Sequence, residues 1–249
     1  SSSFRELNAE RWENSYNFNS VANGDVLKSV IPHQRPSGIT GFVMNTRLPK
    51  FQDWRVREAL ITAFNFEFIN QTNTGGRQDR IPSYYSNSVL SMKPGAAKGR
   101  VLEFLAPHAA NLLPGTLEGY TFPLSDGSAR NRKNIRIADD LLNQSGWTVQ
   151  DGRRRNAKGE VFNIVTVLKQ GDTESQLMMD IYQQALERLG IQLTTQVLDS
   201  SQYKERTQVY DFDIAYYRRG LSLSPGNEQM LYWGADGVKK PGTRNWMGM

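Results

Sequence analysis

The sequence predicts an α/β domain in which helices flank a mixed β-sheet. From residue 131 to residue 217, helical and strand patterns alternate in the order α-β-β-α-β-α-β, which is typical of α/β domains. Hydrophobic residues make up 38% and charged residues 22% of the 249 residues, which is enough apolar material for a sizeable core. No apolar run approaches the roughly 18 residues that a membrane-spanning helix needs, so no such helix is predicted.

The first part of the chain predicts one helix followed by two strands. Residues 25–31 form a strand-like run that Pro32 ends, and residues 39–46 form a second run after a Pro-Ser-Gly turn signal. Residues 4–16 predict a helix because long side chains recur near one face, namely Phe4, Leu7, Arg11 and Trp12.

Two helical pieces and a long irregular segment come next. Asp53 is a good N-cap for a helix with the apolar stripe Val56, Ala59, Leu60, Ala63 and Phe64. Residues 67–72 predict a second helical piece, which two glycines end. Residues 77–130 are rich in Pro, Gly, Ser and Asn and predict an irregular excursion with one short helix near residues 98–105. A loop of this length is usually functional or packed along another part of the protein.

The second half begins with a helix over residues 131–145. Its core face comprises Ile135, Ala138, Leu141 and Leu142. Gly146 stands where a left-handed residue usually closes a helix. A short extended piece from Trp147, a turn at Asp151-Gly152 and a strand over residues 161–168 follow.

Two further helices and two strands complete the pattern. Thr173 and Gln176 form a plausible capping box for a helix that runs to Leu189 and ends at Gly190. Residues 191–198 alternate as a strand does.

The last predicted helix runs to Val209, with either Asp199 or Ser200 as its cap. Residues 211–217 predict the final strand. Asp211 and Asp213 lie on one face at its start, and at a strand edge such a pair usually makes turn contacts or faces water.

Charge and composition exclude several functional classes. The net charge of +5 is a mild excess, and the single basic run, residues 153–155, lies in a turn-like segment. We interpret that run as a solvated hairpin tip and expect no nucleic-acid partner, since binding would need basic residues clustered on one face. The chain has no cysteine, and its two histidines, His33 and His108, are far apart, so we expect no disulfide, metal site or cofactor.

The nearest approach to a catalytic motif follows the last strand. Gly220-Leu221-Ser222-Leu223-Ser224 imitates the G-x-S-x-G nucleophile elbow, but Ser224 replaces the final glycine. In hydrolases with that elbow a histidine follows the serine, whereas no histidine follows His108 here. We therefore expect no enzyme activity and keep a serine hydrolase using Ser222 as one alternative, with a basic nucleic-acid or scaffold module as the other.

The candidate site lies at the same strand end. Aromatic residues and two arginines leave the strand and enter a polar loop that contains glycine and proline, where ligands of α/β sheets tend to bind. Arginine matches carboxylates, and aromatic rings offer stacking area. The predicted ligand-binding residues are Tyr217, Arg218, Arg219, Ser222, Ser224, Asn227 and Trp233.

Several motifs in order along the chain resemble family 5 solute-binding proteins of peptide ABC importers. Residues 41–70 carry Asn45, then the pattern Asp-x-Arg-Val-Arg-x-Ala-Leu from Asp53 to Leu60. Gly146-Trp147, Leu189-Gly190-Ile191 and Asp211-Phe212-Asp213 follow in family order. Residues 222–229 and the Pro-Gly-Thr-Arg-Asn run at 241–245 resemble the YejA-like branch.

This resemblance implies the fold and role of the whole protein. The fold would be a lobe of a type II periplasmic binding protein, with residues 1–249 forming the second lobe of a longer two-lobe protein whose first lobe and C-terminal tail lie outside this chain. The role would be to bind an oligopeptide or peptide-like ligand in the cleft and deliver it to an ABC permease in the inner membrane. We expect a periplasmic location, no signal peptide within these residues, and an isolated lobe that is monomeric or self-associates weakly.

The resemblance also bears on the ligand. Family members commonly carry an aspartate that pairs with the free amino group of the peptide, and that position falls near Ser222, with Arg219 near the preceding aromatic position. The missing carboxylate argues against recognition of a free peptide amino terminus. Arg218 and Arg219 would instead favour an acidic or modified ligand. The loop arginines, Ser222, Ser224 and Asn227 would be polar anchors, and Tyr217 and Trp233 apolar walls.

Overall fold

The computed structural model describes Phe4, Glu6 and residues 9–249. The chain divides into a small unit that ends at Gln34 and a large unit that begins at Arg35. Within the small unit, the helices are α1 (Ala9–Asn14) and α2 (Asn19–Ala22). Within the described residues, the helix predicted over residues 4–16 is thus only the shorter α1. Leu7, one of the residues on its predicted face, lies outside the described residues.

The strand predicted over residues 25–31 is wrong. Residues 27–38 have no regular secondary structure, and the backbone N–H of Val26 instead donates to the carbonyl of Ser20 at 2.9 Å, which folds the chain back onto α2. A strand is stabilised by a neighbouring strand, and this run pairs with none among the described residues.

The large unit is built on a mixed sheet of four strands, as the sequence predicted. The strands are β1 (Ile39–Met44), β4 (Asn163–Lys169), β5 (Gln192–Leu198) and β6 (Ile214–Arg219), and their spatial order is β1-β6-β4-β5. β4 is parallel to both β5 and β6, whereas β1 is antiparallel to β6. The carboxyl ends of β4, β5 and β6 therefore lie at one edge of the sheet.

Helices cover the sheet and bury one large apolar cluster against it. The long helices are α3 (Trp54–Ala63), α4 (Phe66–Thr74), α6 (Arg132–Gln144) and α7 (Thr173–Glu187). The apolar faces of α3, α6 and α7 pack together with side chains of the sheet around fully buried residues that include Phe51, Leu60, Leu142, Phe162 and Leu186. The predicted stripes of α3 and α6 contribute Val56, Ala59, Ala138 and Leu142 to this core, because a helical spacing of apolar residues places them on one face.

Short helices occupy the rest of the large unit. They are α5 (Gly99–Leu105), α8 (Ser200–Gln208), α9 (Glu228–Trp233) and α10 (Asp236–Lys239). The helix predicted near residues 98–105 is thus present as α5, within an otherwise irregular excursion. No helix in the described ranges is both long enough and apolar enough to cross a membrane.

The helix caps agree with the sequence at two positions and differ at one. Asp53 accepts a hydrogen bond from the N–H of Arg55, and Asp199 accepts from Ser201 and Gln202, as N-caps do. The capping box predicted at Thr173 is wrong, because Asp172 is the cap and accepts from the N–H of Ser175. The carboxylate one residue earlier is the better acceptor at this helix end, where the helix dipole favours negative charge.

The basic run at residues 153–155 is not a solvated hairpin tip. It forms β3 (Arg153–Arg155), which pairs with β2 (Thr148–Gln150). Arg154 is fully buried and donates hydrogen bonds to the carbonyls of Leu189 and Trp147 and to the side chains of Asn143 and Asp139. Strand alternation turns the middle arginine inward, where these acceptors stabilise its charge.

The final strand begins and ends later than predicted. Tyr210 adopts a positive φ of 61°, and the N–H of Asp211 donates back to the carbonyl of Arg206, so the chain still turns at Asp211. β6 starts at Ile214 and continues through Arg218 and Arg219, which pair with Thr40 and Ile39 of β1. This extension places both arginines on the last residues of the strand.

Candidate ligand-binding site

The predicted site residues start at the carboxyl end of β6, which is fixed by a glycine turn before β1. Gly38 has a φ of +75°, and a Cβ at this position would lie 2.2 Å from the carbonyl oxygen of Arg219. Only glycine permits this backbone approach. The N–H of Gly38 also donates to the carbonyl of Tyr84 at 3.1 Å, which brings the irregular excursion to the same strand end.

The two arginines differ in their surroundings. Arg218 is exposed at the end of β6. The guanidinium of Arg219 lies over the ring of Tyr217 at 4.3 Å and near that of Trp246 at 5.1 Å, and its Nη1 donates to the carbonyl of Arg218 at 2.7 Å. Its Nε is buried and has no hydrogen-bond partner among the described residues. Stacking therefore holds the guanidinium of Arg219 in place, while its Nε–H donates no hydrogen bond to a described residue.

Tyr217 is fully buried beneath Arg219. Its hydroxyl donates to the carbonyl of Arg244 at 2.6 Å, and its ring lies in an apolar cluster with Ile39, Val43 and Met247. Burial raises the pKa of Tyr217 to about 12, and the nearby Arg219 partly opposes that rise. In this arrangement Tyr217 supports the guanidinium of Arg219 from beneath, and it has no exposed surface of its own.

The loop after β6 presents small polar groups to solvent. Ser222, Ser224 and Asn227 are all exposed. The hydroxyl of Ser222 donates to the carbonyl of Ser224 at 2.9 Å and accepts from its N–H at 3.2 Å, which closes a tight turn. Asn227 precedes α9, and its side chain makes no capping hydrogen bond. The side-chain amide of Asn227 therefore does not cap the start of α9.

Trp233 forms the aromatic border of this loop, together with a residue that sequence reasoning missed. Its ring stacks on Tyr84, with centroids 5.2 Å apart and an interplanar angle of 2°, and its Nε1 donates to Gln229 at 2.7 Å. Tyr84 is 41% exposed and comes from the irregular excursion. The adjacent aromatic residues Tyr84 and Tyr85, in an otherwise polar segment, are the sequence signal that could have identified Tyr84.

A shared apolar cluster connects two of the predicted residues, Tyr217 and Trp233. Trp233 and Trp246 pack against the cluster that contains Tyr217, so the end of β6 and the end of α9 have a common support. The acidic pair at the other end of β6 is separate from it. Asp213 pairs with Lys50 at 2.7 Å, and Asp211 pairs with Arg206 at 2.9 Å. Within the described residues, no group of three His, Cys, Asp or Glu side chains could hold a metal ion.

Comparison with protein families gives a match over most of the chain. Residues 4–240 match the model of the bacterial extracellular solute-binding proteins, family 5 Middle. The peptidoglycan-binding protein YepA of Agrobacterium fabrum is 34% identical over 244 residues, which cover 96% of this chain and 38% of that protein. "Probable peptide-binding protein YejA" of the same organism is 33% identical over 249 residues, which cover 98% of this chain and 40% of that protein. The chain thus spans about two fifths of the length of these relatives.

A solved structure has the same fold. The oligopeptide-binding protein AppA from Bacillus subtilis, in complex with a nonapeptide, superposes with a TM-score of 0.64 at 19% sequence identity. The superposition covers 96% of this chain and 43% of AppA. At this identity the similarity establishes the fold, which is that of periplasmic oligopeptide-binding proteins.

Proposed function

Because the chain belongs to the bacterial extracellular solute-binding proteins of family 5, we propose that it is the second lobe of the substrate-binding component of an ABC importer. In this proposal residues 1–249 supply one wall of a cleft, and a first lobe outside this chain supplies the other. The cleft closes on an oligopeptide or peptide-like ligand by a hinge motion. The closed protein then delivers the ligand to a permease in the inner membrane, from the periplasmic side.

One observation supports this assignment most directly: an exposed polar loop and an aromatic stack meet at the carboxyl edge of the sheet. Ser222, Ser224 and Asn227 offer hydrogen-bonding groups, and the Tyr84–Trp233 pair offers a flat apolar border. Ligands of open α/β sheets bind beyond the carboxyl ends of strands. A small number of polar groups beside aromatic side chains is the usual composition of a ligand site.

The charge of this edge favours an acidic or modified ligand. Arg218 is exposed and Arg219 is held by the rings of Tyr217 and Trp246, so an anionic group that reaches the end of β6 would meet an oriented guanidinium. Guanidinium forks match carboxylates, often with two parallel hydrogen bonds. Position 222 is a serine and offers no carboxylate to pair with a free peptide amino group. The sequence therefore supports recognition of another part of the ligand.

We propose binding without chemistry. The hydroxyl of Ser222, the best nucleophile that the sequence offered, is engaged with the backbone of Ser224 in a turn. An activated serine would need a base within hydrogen-bonding reach. Labelling of Ser222 by a fluorophosphonate probe would contradict this part of the proposal.

The first test is native mass spectrometry of the natural full-length protein, isolated from its cells without refolding. We expect a co-purified peptide or peptide-like molecule, whose mass and ends identify the ligand and show whether a free amino terminus is required. A protein that arrives empty and also ignores a peptide library would contradict the assignment of a peptide-like ligand.

The second test is the charge reversal Arg219→Glu in the full-length protein. We expect the affinity for the co-purified ligand to fall at least about tenfold, because a charge-assisted hydrogen bond is lost and a repulsive charge takes its place. Calorimetry measures the change. Lys158→Glu is the matched control, because it makes the same charge change at an exposed position. Lys158 lies in the turn before β4, whereas the candidate site lies at the carboxyl edge of the sheet. Unchanged affinity in Arg219→Glu would contradict the role of Arg219.

A further inference from the structure

A second concave surface lies at the opposite edge of the sheet from the candidate ligand-binding site. It is a groove of about 420 Å³ between α6 and the end of α7, lined by Arg130, Arg132, Arg136 and Arg188. α7 follows the carboxyl end of β4 and finishes just before β5 begins. Because β4, β5 and β6 are parallel, the groove lies at the edge where these strands start, and the loop after β6 lies at the other.

The positive charge of this groove is not compensated by neighbouring carboxylates. Arg130, Arg132 and Arg136 are exposed, and their guanidinium groups form no ion pair and donate no hydrogen bond to any residue in the described part of the chain. The one acidic residue that lines the groove, Asp139, is already paired with the buried Arg154. The groove therefore holds a cluster of cations whose hydrogen-bond donors point to solvent.

The fourth arginine is held in place by the backbone. The Nη1 of Arg188 donates to the carbonyls of Ala129 and Arg130 at 3.0 and 3.1 Å, which fixes the turn before α6 against the end of α7. The floor of the groove is apolar and comprises Ile135 and Leu189. A fixed turn and an apolar floor hold the exposed guanidinium groups around a common concavity.

α6 begins beside the groove, at a residue between Arg130 and Arg132 that does not itself line the groove. Asn131 is 2% exposed, and its Nδ2 has no hydrogen-bond partner among the described residues. Asn131 precedes the helix with a φ of 42° and makes no side-chain cap, so the first N–H groups of α6 receive no acceptor from it. Uncapped helix starts carry partial positive charge and favour anions.

We propose that this groove is an anion site for a phosphate-bearing ligand. A phosphate ester carries a charge of about −1.5 to −2 and three acceptor oxygens, so it can engage several guanidinium forks at once. A lone carboxylate carries one charge and two oxygens and would leave most of these donors unpaired. The phosphate can belong to a free small molecule or to a phospholipid whose headgroup is a phosphate monoester, as in phosphatidic acid. This inference uses no residue of the candidate ligand-binding site and does not rest on the proposed function.

The test compares the full chain with R132Q/R136Q, which removes two exposed cations from the groove. K98Q/K204Q is the matched control, because both lysines are exposed and lie away from the groove, Lys98 just before α5 and Lys204 on α8. Inorganic pyrophosphate is titrated into each protein by calorimetry at fixed low salt. In parallel, each protein is sedimented with vesicles of phosphatidylcholine, with or without phosphatidic acid. Circular dichroism and thermal midpoints establish that all variants fold.

Saturable pyrophosphate binding that weakens at least about tenfold in R132Q/R136Q and stays within about twofold in K98Q/K204Q supports the site and a soluble ligand. Sedimentation with vesicles that contain phosphatidic acid, lost only in R132Q/R136Q, supports the site with a lipid headgroup as the source. Equal losses in both variants indicate general electrostatic attraction and overturn the proposal. The proposal is also overturned if the unaltered chain binds neither pyrophosphate nor the anionic vesicles.

Discussion

At the residue scale, the buried guanidinium of Arg154 connects separate parts of the fold. It bonds to the end of α7 through the carbonyl of Leu189 and to α6 through Asn143 and Asp139. It also bonds to the carbonyl of Trp147, just before β2. A buried charge is tolerated only when its donors are satisfied, and here each bond also ties one element to another.

Arg154→Leu is expected to lower the free energy of unfolding by about 3 kcal/mol or more, because it leaves buried carbonyl groups without a donor. Chemical denaturation measures the change. Its neighbour Arg153 is exposed and supplies the matched control, since Arg153→Leu should change stability by no more than about 0.5 kcal/mol. Similar losses in both variants would contradict the role assigned to Arg154.

At the element scale, the turn before β1 joins the excursion to the sheet. Ser37 and Gly38 donate to the carbonyls of Ser86 and Tyr84, and the same turn passes within van der Waals distance of the last residue of β6. The position of Tyr84 beside Trp233 follows from these contacts. The candidate site therefore depends on how a segment without regular structure is fixed to a strand end.

Gly38→Ala tests this dependence. The added methyl group meets the carbonyl oxygen of Arg219 at a positive φ, so stability is expected to fall by more than about 1 kcal/mol. Gly41→Ala, within β1, is the control, because a Cβ there meets nothing within 4 Å, and it should leave stability unchanged or slightly higher. Thermal and chemical denaturation measure both. A neutral Gly38→Ala would contradict the close approach of the turn to β6.

At the scale of the whole molecule, the two sheet edges carry different surfaces. The edge with the carboxyl ends of the parallel strands presents a polar loop with aromatic and arginine side chains, and the opposite edge presents the arginine groove. The chain spans 38% of YepA and 40% of YejA, so the first surface is proposed as one wall of a larger cleft.

The proposal that this chain supplies one of two walls predicts weak binding by the chain alone. A ligand site normally buries most of its ligand, and a single wall buries much less. We therefore expect no saturable binding of short peptides below millimolar concentration, as measured by calorimetry. Micromolar affinity of the 249-residue chain for such peptides would contradict the two-wall arrangement.

Local patterns in the sequence were sufficient to predict most elements of the large unit. The spacing of Val56, Ala59 and Leu60 identified the core face of α3, and Asp53 and Asp199 identified helix starts, because these signals depend on residues close together in the chain. The mixed sheet followed from the alternation of helices and strands. The order of motifs along the chain was sufficient to identify the family.

Only the tertiary structure decided which side chains meet. The burial of Arg154 depends on acceptors from α6, α7 and the segment before β2, and no local pattern specifies them. Residues 25–31 form a strand-like run but have no strand partner among the described residues. Tyr84 lies 149 positions before Trp233 and stacks on it because backbone hydrogen bonds at Gly38 bring the excursion to β6. Sequence patterns determine local conformation, whereas contacts between distant segments require the folded chain.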